Sequence, residues 1–585
     1  MRHLSPIIAG SCLAAARAAR ASASTSAQYT LPSSVPANDV FEAFISYSIE
    51  FSSFPDYAGN TTHPNIFSDN LLENIKSITG TKPYIRVGGN TQDYALYDAS
   101  LSIAINGTVD PSRSPDYPTT ITIGPSYFES YSTFNDVKFS HGFNLGLGGN
   151  NSKGWQTLLD TVPLACRALS GGKLYLWGYG NEPDLFSTSA QGPVRPSSWN
   201  ESAYVGQWLN GTRTIKALLQ EHCPDLASED SYGYLAPSFG GVGNRLKAPA
   251  TWAAGISTDK NVKLFSTHNY ISGATSPGVT LQGTLLNHTV TRRSVDAHIT
   301  EYNAIKAIDP SAPPLIFGET NSLYNQGRPG LSNTFGAALW VADFNLYSAS
   351  VGIKRVQMHM GTNYRYAPWQ PLSTSQAPKG TNPPYYGQIL AASALGSTPS
   401  TVYHIPLLSS SFSSSSSSTI SDHESAYAIY KDSGTRLSRI VLLNMRSYNT
   451  TLDGAGLVPL PPSSPPAVRP KRVYEFIVPG LTTAEASASS SSSNDNSSGQ
   501  GGKPMMRAGV KRLRANGSDA ITGVTWDGWS YNRELDNGRP VRLGNVTKTV
   551  GEQQEEEEVV EIEEGGRLKV EVEDSEGVVL EFYYS

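Results

Sequence analysis

The sequence predicts a (β/α)8 TIM barrel followed by a C-terminal antiparallel β-sandwich domain. Three observations predict this class. The chain has 585 residues, which is too long for one ordinary domain. From about residue 40 to 395, short apolar runs alternate with helical stretches, as strands followed by crossover helices do. After about residue 400, short alternating strands follow one another without intervening helices, which is typical of a sandwich.

Eight apolar runs supply the strands of the predicted barrel. They are VFEAFISYSIEF from Val40, KPYIRVGGN from Lys82, KFSHGFNLG from Lys138, KLYLWGYGNE from Lys173, YLAPSF from Tyr234, VKLFSTHNY from Val262, PLIFGETNS from Pro314 and KRVQMHM from Lys354. Helical periodicity between them predicts helices such as SDNLLENIKSIT from Ser68, GWQTLLDTVPLACRALS from Gly154, SAYVGQWLNGTRTIKALLQEH from Ser202 and TFGAALWVADFNLYSAS from Thr334. In such a barrel, functional side chains lie at the C-terminal ends of strands and in the loops that follow.

The C-terminal region reads as strands separated by polar segments. AYAIYK, RIVLLNM, RVYEFIVPG and GVVLEFYYS are the strand candidates. Two Ser-rich stretches, LLSSSFSSSSSSTISD and residues 482–502, are predicted disordered loops, and GEQQEEEEVVEIEE from Gly551 a solvated acidic loop. The basic segment MMRAGVKRLRANG from Met505 is predicted to be an exposed loop or edge strand. The predicted division is a signal peptide over residues 1–23, the barrel domain over 24–399 and the sandwich over 400–585.

Several features predict a secreted glycoprotein. The N-terminus joins basic residues to a short apolar stretch and an A-x-A near residue 23, which resembles a secretory signal. Ten N-x-S/T patterns are glycosylation acceptors in such a protein: Asn60, Asn106, Asn150, Asn200, Asn210, Asn287, Asn449, Asn496, Asn516 and Asn545. Cleavage would leave Cys166 and Cys223, whose pairing stays open. No later segment is apolar enough for a membrane helix, so no membrane association is expected.

Composition narrows the function classes. Charged residues are 16%, the net charge is −6 and aromatic residues reach 10%, which suits a sugar-stacking surface better than nucleic-acid binding. Two cysteines at this spacing do not form a metal cluster, and neither a metal nor another cofactor is expected. The oligomeric state stays open.

Two predicted strands end in glutamate, Glu182 on the fourth and Glu319 on the seventh. In an eight-stranded barrel these ends face each other across the mouth, so the two side chains can lie close together. Hydrolysis of a glycosidic bond with retention needs such a pair, one carboxylic acid to protonate the leaving oxygen and one carboxylate, ~5 to 5.5 Å away, to attack the anomeric carbon. Asn181 is placed to bind the sugar 2-OH. The alternative for Glu182 is a helix start with Asp184 as its cap.

These residues carry a family resemblance. IRVGGNTQDYALYD, LWGYGNEPDLF, STHNY and IFGETNSLYNQGRPGLSNTFGAALWVADF resemble a fungal, secreted member of glycoside hydrolase family 79, a retaining clan A family that contains β-glucuronidases and heparanase. The resemblance spans about residues 30 to 400, and the β-rich region is similar in kind to the second domain of the family. It implies Glu182 as acid/base and Glu319 as nucleophile.

The resemblance also implies residues that bind the sugar. Tyr hydroxyls and backbone N–H groups of the loop SLYNQGRPG would read a glucuronate carboxylate, which implies Tyr324, the backbone of residues 325–327 including Gly327, and Tyr366. Arg328 or Arg365 could add charge, while Tyr324 could instead anchor the loop.

The other candidates have alternatives of their own. Glu50 would contact sugar hydroxyls or form a structural ion pair, and Tyr270 could orient Glu319. The remaining candidates are Arg86 as a support for the carboxylates, Asn90 as a pocket residue, His268 as a pocket histidine, and Trp369 as either a platform for the leaving sugar or a buried core residue.

The predicted function is a secreted, retaining exo-β-glucuronidase that removes terminal β-linked glucuronic acid, or its 4-O-methyl form, from glycans such as arabinogalactan. The alternatives are an endo-β-glucuronidase of the heparanase type, a non-catalytic carbohydrate-binding protein on the same fold, and another clan A hydrolase such as a β-glucosidase or arabinofuranosidase. Because the last would lack a carboxylate reader, the loop over residues 322–330 discriminates between them.

Overall fold

A computed structural model gives the fold of the chain. It describes residues 28–189, 192–408, 420–479, 507–543 and 558–583. The predicted signal peptide lies outside these ranges, as do most of the Ser-rich stretches and the first part of the acidic segment.

Eight parallel strands close into the predicted barrel, each hydrogen-bonded to the next. All eight coincide with the apolar runs, because strands covered on both faces are nearly continuously apolar. In chain order they are Ile45–Glu50, Ile85–Gly88, Phe139–Phe143, Leu174–Tyr179, Tyr234–Phe239, Val262–Gly273, Leu315–Tyr324 and Val356–Met360.

The α-helices of the described chain lie mostly between these strands. They are Phe54–Ala58, Ile66–Thr79, Ser152–Ala168, Glu201–His222, Ala248–Ala253, His288–Ile308, Phe335–Ser350, Pro383–Leu395 and Arg533–Asp536. Five begin at a residue whose side-chain oxygen accepts a hydrogen bond from the first turn, which satisfies an otherwise unpaired N–H group. These residues are Asn65, Asn151, Asn200, Asn287 and Thr334.

Short strands decorate the mouth of the barrel. Ala95–Tyr97, Ile105–Thr108 and Thr120–Ile123 form a small sheet after the second barrel strand, and Trp369–Gln370 pairs with Gly380–Thr381 after the eighth. These insertions build walls around the site described below.

Two sheets form the sandwich. The larger has nine strands: Thr401–Ile405, Glu424–Lys431, Arg436–Asn444, Glu576–Phe582, Arg507–Arg514, Thr525–Trp526, Trp529–Ser530 and Val541–Arg542 in spatial order, with Val559–Glu561 paired to Arg507–Arg514. The smaller holds Gln28–Thr30, Lys471–Ile477 and Arg567–Glu573. Buried side chains from both sheets, such as Phe476 and Leu580, make one core.

The barrel and the sandwich share a second core. Helix Phe335–Ser350, which helical periodicity predicts, is buried along nearly its whole length. Its side chains belong to the same cluster as sandwich residues such as Tyr427 and Val441. The sandwich therefore packs firmly against the barrel.

Two sequence predictions about the sandwich are corrected. Gln28–Thr30 was assigned to the barrel domain, but it runs parallel to Lys471–Ile477 in the small sheet. The basic segment from Met505 forms Arg507–Arg514, an interior strand between Glu576–Phe582 and its neighbours rather than a loop or edge. Its cations are tolerated there because carboxylates pair with them, as Glu558 does with Arg512.

In the described part of the acidic segment, from residue 558, Val559–Glu561 forms a strand, so the loop prediction is wrong there. Cys166 and Cys223, left open by the sequence, form a disulfide. Among the helices of the described ranges, none is long and apolar enough to cross a membrane.

Candidate active site

A cavity of about 620 Å³ opens at the C-terminal ends of the barrel strands. Most of the residues singled out from the sequence line it: Glu50, Asn90, Asn181, Glu182, Tyr270, Glu319, Tyr324 and Tyr366. The strand ends of a barrel converge on its axis, so residues far apart in the sequence meet here.

Glu182 follows the fourth strand in an unusual backbone conformation. Its φ and ψ are both 50°, in the left-handed region, and Pro183 disfavours the right-handed helical alternative for the residue before it. The Glu182 N–H donates to the carbonyl of Ser238 at 2.9 Å, and its Oε1 lies 2.9 Å from Nδ1 of His268. Glu182 does stand at the start of a short 3-10 turn, Pro183–Leu185, but Asp184 does not cap it, because its carboxylate accepts from Gly240 and Asn244 instead.

Glu319 lies inside the seventh strand, and two side chains donate hydrogen bonds to its carboxylate. Nη1 of Arg86 donates to its Oε2 at 2.7 Å, and the Tyr270 hydroxyl donates to its Oε1 at 2.8 Å. Arg86 also donates to Ser48 at 2.9 Å, which fixes the guanidinium beneath the carboxylate. A buried carboxylate with charge-assisted donors is favoured in its ionised form.

The surroundings of Glu182 and Glu319 shift the pKa values of the two carboxyl groups in opposite directions. Burial, followed by the negative charge of Glu319, raises the pKa of Glu182 to about 8. Burial opposes ionisation of Glu319 as well, but the charges of His359, His268 and Arg86, in that order, hold the pKa of Glu319 well below its usual range. A carboxylate oxygen of Glu182 lies within 4.8 Å of one of Glu319. One acid and one base can therefore coexist at neutral pH.

His359 is a site residue that the sequence interpretation missed. Its ring lies between two carboxylates, with Nδ1 3.6 Å from Glu319 and Nε2 3.5 Å from Glu50. Burial opposes protonation, but the two carboxylates outweigh it and raise the pKa of His359. A signal was present, since His359 stands near the end of the eighth predicted strand.

Glu50 is buried and committed to neighbouring groups. Its Oε1 accepts from the backbone N–H and hydroxyl of Thr91 at 2.9 and 2.6 Å, and its Oε2 accepts from the Tyr364 hydroxyl at 3.1 Å. It lines the cavity, and its Oε2 lies 3.5 Å from Nε2 of the His359 ring. Glu50 thus belongs to an ionic cluster at the cavity wall, and its contact with sugar hydroxyls stays a prediction.

Asn181 is fixed by its backbone and its side chain. Its N–H donates to Asp93 at 2.6 Å, its Oδ1 accepts from Arg86 at 2.6 Å and its Nδ2 donates to Asn90 at 3.0 Å. Asp93 also accepts the N–H groups of Leu145 and Gly146 at 2.8 and 2.9 Å, so one carboxyl ties the loops after the third and fourth strands together. The sequence interpretation did not single out Asp93.

The loop after the seventh strand divides into parts that face the cavity and parts that do not. Tyr324, Asn325 and Gln326 line it. The N–H of Gly327 instead donates to the Leu323 carbonyl at 3.1 Å, and Gly327 is not among the lining residues. The expectation that Gly327 offers a free backbone donor is therefore corrected: a loop hydrogen bond already uses this group.

Three further candidates lie away from the cavity. Arg365 donates to both oxygens of Asp116 at 2.5 and 2.7 Å, and Arg328 does not line the wall. Trp369 is a core residue, 1% exposed, whose Nε1 donates to Ser68 at 3.0 Å. It cannot stack on a leaving sugar, so the second sequence interpretation of Trp369 is the correct one.

Glu182, His268 and Glu319 each place a possible metal-ligand atom within 4.8 Å of the others. The positive charge that the carboxylates need is already supplied by Arg86, whose guanidinium touches Glu319. A second cation at this position would be repelled, so the donor set fits proton chemistry better than metal binding.

Comparison with known proteins places the chain among named relatives. A protein-family model described as "Glycosyl hydrolase family 79 C-terminal beta domain" matches residues 426–579. A protein named Beta-glucuronidase from Neurospora crassa is 65% identical over 522 residues, which cover 89% of this chain and 90% of that protein. Another protein of that name, from Aspergillus niger, is 47% identical over 527 residues, covering 90% and 89% of the two chains.

A solved structure shares the whole fold. It is a 4-O-alpha-L-rhamnosyl-beta-D-glucuronidase from Fusarium oxysporum in complex with Rha-GlcA, with a TM-score of 0.68 and 24% sequence identity over 95% of this chain and all of that one. Given the identity and coverage of its fungal relatives, the chain is a glycoside hydrolase and belongs to glycosyl hydrolase family 79.

Proposed function

We propose that the protein is a retaining exo-β-glucuronidase. The observation that carries the proposal is the carboxyl pair, with oxygens within 4.8 Å of each other, one held protonated and the other ionised. This separation suits direct attack by a carboxylate, because an inverting enzyme leaves room for water between its carboxyl groups. The two fungal relatives named Beta-glucuronidase support the choice of sugar.

In the first step, Glu182 donates its proton to the glycosidic oxygen as the bond to the anomeric carbon breaks. Glu319 attacks that carbon and forms a glycosyl ester, and the aglycone leaves as an alcohol. Arg86 and Tyr270 keep the attacking carboxylate ionised and oriented. Asn181 is fixed beside the acid, where its amide can bind the sugar 2-OH.

In the second step, Glu182 acts as a base. Forming the ester removes the negative charge of Glu319, which is the second largest cause of the raised pKa of Glu182. The carboxyl therefore stays ionised after its proton has left and can take a proton from water. That water attacks the anomeric carbon, releases glucuronate with its original configuration, and restores both carboxyl groups.

The uronate would be read by the loop after the seventh strand. Tyr324 is 47% exposed at the cavity wall, and Asn325 and Gln326 stand beside it. The Tyr366 ring packs beside the Tyr270 ring, with 6.2 Å between the two ring centroids. Neutral donors of this kind can bind a carboxylate without an ion pair.

Exo action and secretion belong to the same proposal. Residues 113 and 192, from facing loops, approach each other at one side of the mouth, which favours a blind pocket over an open cleft.

The Cys166–Cys223 disulfide and the glycosylation patterns favour an extracellular protein. Terminal glucuronate, or its 4-O-methyl form, on glycans such as arabinogalactan is the proposed substrate.

Kinetics on paired substrates tests the proposal. We expect hydrolysis of an aryl β-glucuronide at least about tenfold faster, as kcat/KM, than of the matching β-glucoside. Glu319→Ala should be inactive, while Glu221→Ala, a change at an exposed glutamate, should match the wild type. NMR should show the β-anomer as the first product.

Three results would each remove one part of the proposal. Equal rates on the two glycosides would overturn the choice of sugar. An α-anomer as the first product would overturn retention. Shortening of an internal glucuronate-containing polymer without release of the monosaccharide would favour the endo alternative.

A further inference from the structure

The walls of the cavity are unevenly charged. Four carboxyl groups line it, those of Glu50, Asp93, Glu182 and Glu319. Among the described lining residues, Arg113 is the one arginine or lysine. Arg86 and His359 already offset the charges of Glu319 and Glu50, so Arg113 is the cation of the cavity wall that takes no part in these pairs.

The cationic side chain is available to an anionic sugar. No carboxylate of the described ranges lies within 4.0 Å of the Arg113 guanidinium, and its backbone N–H donates to the Asp110 carbonyl at 2.9 Å. The two arginines considered from the sequence are unavailable, because Asp116 pairs with Arg365 and Arg328 lies off the wall. Among the described residues Arg113 thus makes no ion pair within 4.0 Å, although the Asp110 carboxylate lies near enough to feel its charge, and its side chain lines the cavity.

The segment that bears Arg113 is anchored rather than loose. Asp116 binds Arg365 through both carboxylate oxygens, and the Tyr117 ring contacts the Tyr364 ring at 6.4 Å between centroids. The Arg113 side chain itself approaches Gly192. Its Nη2 lies 3.9 Å from the position that a Cβ atom on Gly192 would occupy. Arg113 therefore extends from the loop after the second strand toward the loop that follows Glu182.

We propose that Arg113 is a specificity-determining residue, the positive wall of the cavity that attracts an anionic glycoside and favours a uronide over a neutral sugar. The inference rests on the proposed function and names a residue for the charge selection within it. Arg113 acts through its field on the approaching substrate and takes no part in proton transfer. A cavity with low-dielectric walls focuses such a field, which raises association rates for ligands of opposite charge.

The test compares Arg113→Gln with Arg293→Gln, which removes the same charge from an exposed position on helix His288–Ile308, away from the cavity. For an aryl β-glucuronide we expect Arg113→Gln to lower kcat/KM about tenfold, mainly through KM. The aryl β-glucoside rate should change less than about twofold, and Arg113→Lys should restore most of the glucuronide rate because it restores the charge.

Salt gives a second readout, which a merely structural role would not move. The wild-type glucuronide rate should fall between about 0.1 and 1 M salt, as the Debye length shrinks from about 10 to 3 Å, and Arg113→Gln should flatten that fall. Equal losses on both substrates, or a loss no larger than that of Arg293→Gln, would overturn the inference. A wild type that does not prefer the glucuronide would instead overturn the proposed function itself.

Discussion

Replacing the nucleophile should change the acidity of the proton donor. In Glu319→Gln, the negative charge within 4.8 Å of Glu182 is lost, while the Arg86 cation stays. Both effects favour ionised Glu182, so its pKa should fall from about 8. The direction follows from the geometry alone.

The magnitude follows from the separation. At 4.8 Å, the upper bound on the separation, two unit charges interact by about 3.5 kcal/mol at an effective dielectric constant of ~20, equivalent to a change of ~2.5 in a pKa. Arg86 already neutralises part of the charge on Glu319, at 2.7 Å, so we expect a fall of about 1 to 2. Burial, the largest cause, stays and keeps the pKa of Glu182 above its ordinary value.

Carbon-13 NMR of protein labelled at the glutamate side-chain carboxyl group measures this pKa directly. The Glu182 resonance is assigned by its loss in Glu182→Gln, and titration is compared between wild type and Glu319→Gln. Glu221→Gln, which changes an exposed glutamate, is the matched control and should leave the titration unaltered. A pKa of Glu182 that is unchanged or higher in Glu319→Gln would refute the coupling, and with it the account of how Glu182 turns from acid to base.

Three further outcomes are expected. The wild-type kcat/KM should decline as pH rises past about 8, because Glu182 donates only while protonated; a decline already complete near pH 5 would contradict this assignment. Tyr270→Phe should lose about 1 to 1.5 kcal/mol of transition-state stabilisation, roughly a tenfold fall in kcat/KM with unchanged thermal unfolding, since one hydroxyl donor to Glu319 disappears. Replacing Cys166 and Cys223 by Ser should lower the free energy of unfolding by about 2 to 4 kcal/mol in denaturant titrations with little effect on kcat, and an unaltered midpoint would mean that the disulfide adds no stability.

The sequence predicted the barrel and the carboxyl pair because both depend on local patterns. Strands covered on both faces are apolar runs, and a glutamate at a strand end is visible without knowing what it faces. Glu182 and Glu319 then meet because closure of the barrel brings the ends of the fourth and seventh strands to the same mouth. Neighbouring Tyr270 could be inferred in the same way.

The failures share a different physical cause. The Gly327 N–H is used by a carbonyl four residues earlier, and Trp369 turns into the core, because loop conformation decides which groups face solvent. His359 acquires its importance from carboxylates on other strands. Such relations depend on tertiary packing and leave no periodicity in the sequence.

The first described strand shows how the chain is threaded. Gln28 donates from its side chain to Glu475 at 2.7 Å, across 447 positions of sequence. From residue 28 onward, the described chain passes from the sandwich into the barrel and back to the sandwich, so the barrel lies between two parts of the sandwich domain. During synthesis the opening strand must wait for its partner until the barrel has been made, and a cut after residue 400 would leave it unpaired with an open edge. Separating the two domains cleanly would require moving residues 28–30 to the C-terminal piece.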